Sequence, residues 1–349
     1  MDETDGVAVV KPRIFEWHKT VWDSLIHRQD RLPHAILFHG PTGSGKKEFA
    51  EAFAMHLLCE APSSNGEACG VCNGCNWFLQ GHHPDFRKIL PPAEMATDED
   101  ADVSKRSGLW ISIEAIRELE SFVQLTSHRS GRKVVFLPMA DRLNVAAANA
   151  LLKTLEEPPN NVVFVLVCEQ LSRLLPTIRS RCQKVALPPP DREDALAWLS
   201  VEKTLDASVL DLAGGMPLQA IKYRQMPEYD HLNGVLDWLV NPLMQGKDPV
   251  RMAAEWSKIN LSILHDWLSK WLYDLIMGCS GNIPRYFSSR HQDIFDLTAK
   301  LSLSGLITLS SSVAEDKRIL NHPLNTKLVL ENWLLGYYAL IAKSQRSVS

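Results

Sequence analysis

The sequence lacks any long hydrophobic run: no stretch reaches the ~18–20 consecutive apolar residues that a membrane-spanning helix requires. It also lacks the basic and then apolar opening of a secretion signal, because its first residues, MDETDG, are acidic. These absences argue against a membrane protein and against a secreted one. We therefore expect a cytoplasmic protein with no membrane partner.

An excess of basic residues is missing as well. The 349-residue chain carries 37 Lys and Arg against 41 Asp and Glu, which gives a formal net charge of −4. A protein that grips DNA by itself usually neutralises phosphates with a basic surface. The charge balance argues against a self-sufficient DNA binder, so any role at DNA is expected to run through partner proteins.

The composition, with 45% hydrophobic and 22% charged residues, is typical of a globular protein, and the length suits two or three domains. Apolar runs and helical periodicity in the first half predict an α/β fold with a parallel sheet. The predicted strands cover 33–39, 86–90, 133–137 and 162–167, and the predicted helices cover 14–31, 46–58 and 145–156.

The proline-rich run Leu187–Asp191 predicts a linker, after which helical periodicity and tryptophans dominate. We expect three domains: an α/β domain over 1–187, a small helical domain over 188–228 and a larger helical domain over 229–349. Residues 92–108 are polar and acidic and predict a surface loop or a locally disordered insertion.

A phosphate-binding loop of the form GxxxxGK[ST] is nearly complete between the first strand and the next helix, as GPTGSGKK over 40–47. Gly40, Gly43 and Gly45 let backbone N–H groups converge on a phosphate, and Lys46 would reach its terminal oxygens. Lys47 replaces the hydroxyl residue that ligates Mg²⁺ and would repel the ion. We expect nucleotide binding at these four positions to be weak or vestigial; a loop kept only for its turn geometry is the alternative.

The strand over 133–137 lacks the acidic pair that ends the corresponding strand of P-loop ATPases. One acid of that pair holds Mg²⁺ through water and the other polarises the attacking water. Pro138 and Met139 stand there instead, and neither binds a hard cation or accepts a proton. Asp141 is predicted to cap the following helix, with a displaced metal ligand as the alternative. The sequence therefore predicts no ATP hydrolysis.

Four of the seven cysteines are clustered, and disulfides are rare in a reducing compartment. Cys59, Cys69, Cys72 and Cys75 have the spacing C-x9-C-x2-C-x2-C. Four thiolates form a closed tetrahedral shell, which is typical of one structural Zn²⁺ without an open catalytic position. An iron–sulfur cluster and unliganded thiols are the alternatives. The spacing predicts a zinc module over 59–75.

Three segments closely resemble bacterial clamp loader subunits of the gamma/tau and delta prime type. They are RKVVFLPMADRLN over 132–144, ANALLKTLEEPP over 148–159 and RLLPTIRSRC over 173–182. The resemblance covers roughly residues 14–220. It implies an AAA+ α/β domain with a zinc module over 1–187, a helical lid over 188–228 and a helical collar over 229–349 that closes a pentamer.

Two further positions distinguish the members of this family that hydrolyse ATP from those that do not. The small hydroxyl or amide residue that normally follows the third strand is replaced by Cys168 and Glu169. The lid segment over 213–220, AGGMPLQA, contains no arginine, although an arginine of this segment normally contacts the terminal phosphate of the nucleotide. These departures favour the delta prime type, which does not hydrolyse ATP; an active gamma/tau-type ATPase is the alternative.

Ser180-Arg181-Cys182 matches the family's SRC motif, so the resemblance implies that Arg181 is an arginine finger for a neighbouring subunit's ATP site. A guanidinium suits this role because it is always charged and binds phosphate oxygens with two parallel hydrogen bonds. Arg179 is the competing candidate and is interpreted as structural. An ordinary surface salt bridge at Arg181 is the other alternative.

The partners follow from the same resemblance. We expect gamma/tau and delta subunits of DNA polymerase III in a heteropentamer, with the sliding clamp and primer-template DNA reached through that complex in the nucleoid-associated replisome. A free-standing DNA-binding zinc protein is a further hypothesis, which the net charge and the closed metal shell disfavour.

Overall fold

The computed structural model describes residues 11–28, 31–95, 108–125, 127, 131–201, 206–244, 248–318, 320 and 326–346. The chain divides into two compact units, Met1–Asp191 and Arg192–Ser349. The division follows the proline-rich run, close to the first predicted boundary. The predicted collar and all of the predicted lid except residues 188–191 lie within the second unit, and the boundary between lid and collar stays a prediction.

The first unit contains a parallel sheet whose described strands have the order β2-β3-β4-β1-β5. Its strands are β1 (Ala35–His39), β2 (Phe86–Lys88), β3 (Lys133–Leu137), β4 (Val162–Cys168) and β5 (Gln183–Ala186). Along β1 the side chains alternate between two cores, with Ala35 and Leu37 in one and Ile36 and Phe38 in the other. Burial on both faces explains why β1, β3 and β4 are apolar throughout.

Helices cover both faces of this sheet. They are α1 (Lys19–Ile26), α2 (Lys46–Leu58), α3 (Asn73–Leu79), α4 (Ile113–Gln124), α5 (Val145–Glu156) and α6 (Pro176–Arg181). One core takes Trp22 of α1 and Phe49 and Phe53 of α2, and the other takes residues of α4 and α5. The α/β fold predicted from the sequence is confirmed.

The local predictions hold for α2 and α5 and for β1, β3 and most of β4. The first helix is shorter than predicted, since a 3-10 turn at Glu16–His18 precedes α1, and β2 ends at Lys88. Neither α3 nor β5 was predicted, because both are short and β5 is a largely exposed edge strand. Of the predicted loop over 92–108, residues 96–107 lie outside the described part of the chain.

The described part of the second unit contains helices and no strand, as predicted. Its helices are α7 (Arg192–Val201), α8 (Ala207–Leu212), α9 (Pro217–Gln225), α10 (Leu232–Val240), α11 (Pro249–Trp256), α12 (Leu261–Cys279), α13 (His291–Thr298), α14 (Leu303–Glu315) and α15 (Thr326–Arg346). Five tryptophans are buried in its core: Trp238, Trp256, Trp267, Trp271 and Trp333. Every helix among the described residues is too short or too polar to cross a bilayer.

Candidate metal centre, phosphate loop and arginine site

The four clustered cysteines meet in space. Their sulfur atoms all lie within 4.8 Å of one another. The Sγ atoms of Cys59 and Cys72 are 4.0 Å apart, and those of Cys69 and Cys75 are 3.9 Å apart. A tetrahedral zinc ion with Zn–S bonds of about 2.3 Å needs sulfur–sulfur separations of about 3.8 Å. The four side chains therefore fit one metal ion.

The backbone around these sulfurs is arranged for negative charge, because each sulfur accepts at least one backbone N–H group. The donors are Cys69 to Cys59 at 3.2 Å, Cys72 to Cys69 at 3.3 Å, Cys75 to Cys72 at 3.3 Å and Gly70 to Cys75 at 3.3 Å. Such N–H groups stabilise thiolates and hold them in the orientation of a metal ligand. The donor set is that of a closed structural site.

The metal module is fastened to the first two helices. Cys59 directly follows α2, so the helix that starts at the phosphate loop ends at a candidate ligand. The indole Nε1 of Trp22 in α1 donates to the carbonyl oxygen of Asn65 at 2.9 Å. A Cβ at Gly66 would lie only 2.6 Å from Cγ1 of Ile26, so the module backbone packs directly on α1. The cysteine loop is thus part of the first unit's packing.

The phosphate loop brings the predicted residues together between β1 and α2. Gly43 and Gly45 have φ values of 80° and 96°, in the region that favours glycine. Gly45 precedes the first residue of α2, Lys46, which lies in the interior with 5% exposure. Lys47 is exposed. The loop therefore has the strand–loop–helix setting of a nucleotide site, with its substituted residue at the surface.

The segment before α1 closes over this loop. A Cβ at Gly45 would lie 2.4 Å from Cδ2 of Phe15, whose buried ring stacks on Trp17 with centroids 4.7 Å apart. The indole Nε1 of Trp17 donates to the carbonyl oxygen of Ser44 at 2.9 Å. His18 is fully buried, and its Nε2 lies 3.1 Å from the carbonyl oxygen of Pro188. These aromatic residues hold the loop in one conformation.

The charge of Lys46 is balanced within the chain. Its Nζ donates to the carbonyl oxygen of Pro41 at 2.8 Å. Burial lowers the pKa of Lys46, and the carboxylates of Glu169 and Asp141 oppose that change. A carbonyl of the loop and nearby acids thus surround the ammonium group that would contact phosphate in an ATPase.

The prediction that Asp141 caps the next helix is wrong. Asp141 is buried in a 3-10 turn over Ala140–Arg142. The cap of α5 is Asn144, whose side-chain oxygen accepts the backbone N–H of Ala147 at 2.8 Å. The reason is positional, because a cap must directly precede the first helical residue. Asp141 instead contributes negative charge near Lys46.

Two further predicted positions, Cys168 and the segment over 213–220, lie in the first and the second unit, respectively. Cys168 ends β4 and is fully buried, and burial raises the pKa of its thiol to about 12. The thiol is therefore neutral. In the second unit, the segment over 213–220 contains no arginine; it forms a turn through Gly214 and Gly215 after α8 and continues into the first residues of α9.

Arg181 is the last residue of α6 and is 34% exposed. Its Nη1 donates to the carbonyl oxygen of Thr177 at 3.1 Å and lies 3.4 Å from the hydroxyl oxygen of Ser180. Its Nη2 forms an ion pair with Glu156, the last residue of α5. The guanidinium group is thus accessible and held by the chain.

Arg179 and Cys182, which flank Ser180 and Arg181, are half-buried and buried, respectively. The Nε of Arg179 is buried without a hydrogen-bond partner among the described residues, and Arg179 lies near Cys168. Cys182 is buried in the core on the α4 and α5 side of the sheet, and burial raises its pKa to about 12. This arrangement supports the interpretation of Arg179 as structural and leaves Arg181 available.

Sequence reasoning missed the residues that surround these sites. Glu156 stood inside the motif LEEPP without any signal that it would pair with Arg181. Phe15 and Trp17 were assigned to a helix and not to the phosphate loop. Their roles come from contacts between residues far apart in the chain, which a linear pattern does not contain.

Comparisons with known proteins agree with the motifs. The family model described as DNA polymerase III, delta subunit, matches residues 18–191, and the model for its C-terminal part matches residues 230–337. A DNA polymerase III subunit delta' from Pseudomonas aeruginosa is 36% identical over 75% of this chain and 77% of its own length. The Yersinia pestis protein of that name is 32% identical over 76% and 77%.

The Escherichia coli subunit delta' is 34% identical over 60% of each chain. Among solved structures, a gamma-subunit-related protein from Thermotoga maritima aligns over 92% of this chain and 99% of its own, with a TM-score of 0.41 and 18% identity. With two curated relatives above 30% identity and covered over three quarters of their length, the chain belongs to the family of DNA polymerase III delta' subunits.

Proposed function

We propose that this chain is a clamp loader subunit of DNA polymerase III that does not hydrolyse ATP and that lends Arg181 to the ATP site of a neighbouring subunit. The observation that carries the proposal is a contrast within one unit. Three positions that hold magnesium or activate water in a P-loop ATPase carry Lys47, Pro138 and Met139 in this chain, while Arg181 of the SRC motif is accessible.

Several substituted positions support the loss of hydrolysis. Lys47 stands where a magnesium-binding hydroxyl is needed, and Pro138 and Met139 stand where the catalytic acids are needed. The thiol of Cys168 is neutral because burial raises its pKa to about 12. We assign the buried carboxylate of Asp141 to the charge balance of Lys46 and not to a metal, because it opposes the fall in the pKa of Lys46.

Arg181 has the properties that a finger requires. Its guanidinium group is always charged, and its planar fork matches two phosphate oxygens. An arginine finger increases the rate of related phosphoryl transfers by about 10³–10⁵-fold. The alternative, an ordinary surface salt bridge with Glu156, would contribute only about 0.2–1 kcal/mol to stability and nothing to a neighbour's chemistry.

The partners and layout follow from the same proposal. The chain assembles with gamma/tau and delta subunits in a heteropentamer through a helical collar over 229–349. A lid over 188–228 joins the collar to the AAA+ domain over 1–187. The sliding clamp and primer-template DNA are reached through this complex, in the cytoplasm at the replisome.

We also assign one structural Zn²⁺ to Cys59, Cys69, Cys72 and Cys75. Four thiolates leave no open position, so the ion supplies folding energy and no catalytic water. Helix α2 and the hydrogen bond of Trp22 attach the cysteine loop to the rest of the first unit.

The decisive experiment replaces Arg181 in the assembled loader. Arg181→Ala should leave assembly unchanged and lower ATP turnover at the neighbouring site by about 10³-fold or more. Arg173→Ala is a matched control, because Arg173 is an exposed arginine of the preceding turn. Unchanged ATPase and clamp loading with Arg181→Ala would refute the proposal.

A true ATPase motor of the gamma/tau type is the competing function, because the loop from Gly40 to Lys46 is intact. The two functions differ in what the isolated chain does with Mg²⁺ and ATP. Our proposal expects no hydrolysis by the isolated chain above that of a Lys46→Ala variant. Calorimetric titration with ATP and ADP would measure any binding that persists without hydrolysis.

A further inference from the structure

The ion pair between Glu156 and Arg181 joins the ends of two helices. Glu156 is the last residue of α5 and Arg181 is the last residue of α6. Their side chains are 48% and 34% exposed, so the pair lies at the surface of the first unit. The pair therefore sits where a neighbouring subunit can approach it.

The three acceptors around Arg181 are not equivalent. The carbonyl oxygen of Thr177 and the hydroxyl of Ser180 belong to α6 itself and move with it. Glu156 is the acceptor that another element supplies to the guanidinium group among the described residues. It alone ties the charged end of the side chain to the helix that follows β3.

This tie restricts a side chain that is otherwise flexible. Arginine loses considerable rotamer freedom when its guanidinium group is placed, and a pre-organised group reacts faster because that loss has already occurred. The pair is also weak enough to rearrange, since solvent screens an exposed ion pair. The guanidinium group has five N–H donors, and the contacts to Thr177, Ser180 and Glu156 use three of them, so two donors stay available for incoming phosphate oxygens.

We infer that Glu156 is a positioning residue that holds Arg181 ready for the phosphate of a neighbouring subunit. This inference rests on the proposed function of Arg181. Glu156 does not touch the nucleotide; it acts on the rate through Arg181 alone. The acid thus belongs to the same functional unit as the SRC motif, although it comes from a different helix.

The experiment compares Glu156→Gln with Glu157→Gln in the assembled loader. Glu157 is the adjacent exposed acid and makes no ion pair within the described part of the chain. Glu156→Gln should lower the kcat for ATP about two- to fivefold, the range that an exposed ion pair supplies, with KM for ATP unchanged. Glu157→Gln should leave both unchanged.

A double-mutant cycle separates positioning from a merely structural role. If Glu156 acts through Arg181, the double variant Glu156→Gln/Arg181→Ala should be as slow as Arg181→Ala and no slower. In the isolated chain, ¹⁵N resonances of the Arg181 guanidinium group should show faster rotation in Glu156→Gln than in Glu157→Gln.

The outcomes distinguish this inference from the function on which it rests. If Arg181→Ala lowers turnover but Glu156→Gln does not lower it, the positioning role is wrong and the finger stands. If the double variant is slower than Arg181→Ala, Glu156 acts by another route and the inference also fails. If Arg181→Ala has no effect, the proposed function itself fails.

Discussion

Replacing Gly45 by alanine tests what the phosphate loop now does in this chain. Gly45 has φ of 96°, a conformation that costs an L-residue about 1–2 kcal/mol. The new Cβ would also lie 2.4 Å from two carbon atoms of the Phe15 ring. Overpacking of this kind costs about 1–3 kcal/mol. Gly45→Ala should therefore destabilise the first unit by about 2–5 kcal/mol.

The two contributions can be measured separately. In a Phe15→Leu background the ring is gone, so Gly45→Ala should keep the backbone cost and lose most of the overpacking cost. The assay is urea unfolding followed by circular dichroism, with the transition of the first unit fitted apart from that of the second. ATP hydrolysis by the isolated chain should stay at background in every variant.

Two results would refute this reasoning. A loss below about 0.5 kcal/mol, the scatter of ordinary surface substitutions, would mean that the loop is free to relax and that Phe15 does not hold it. An equal loss in both backgrounds would mean that Phe15 is not the neighbour that the new methyl group meets.

Two further predictions concern the metal and the buried histidine. Protein purified without chelator should hold one zinc ion. Cys75→Ser should reduce the zinc content, whereas Cys279→Ser, outside the cluster, should not. If free zinc is at 100 times its Kd before a chelator is added, chelation should destabilise the first unit by about 3 kcal/mol. A wild-type zinc content near zero by elemental analysis would contradict the metal assignment. Burial lowers the pKa of His18 from 6.5 to about 4. Because the unfolded chain takes up this proton first, stability should fall as pH drops from about 6.5 to about 4, by up to about 3 kcal/mol. His18→Gln should flatten that part of the pH profile in thermal unfolding, and an unchanged profile would argue that another group is responsible.

The parts that could be predicted from the sequence are those with a short repeat or a fixed spacing. The helix over 46–58 and the strand over 133–137 follow from local periodicity and burial on both faces of a parallel sheet. The cysteine cluster follows from spacing, and the structure brings its four sulfurs within 4.8 Å. Asp141 shows the limit, because its distance from the helix was close enough to suggest a cap and Asn144 holds that position.

The amino-acid sequence alone thus determined the α/β class and the cysteines that cluster, and it predicted the substituted positions Lys47, Pro138 and Met139, since each depends on residue identity within a short segment. Only the tertiary structure decided that Phe15 covers Gly45 and that Glu156 pairs with Arg181. Those contacts depend on the order in which the strands are placed in the sheet, and that order is set by the packing of the whole unit. No local pattern in the chain encodes it.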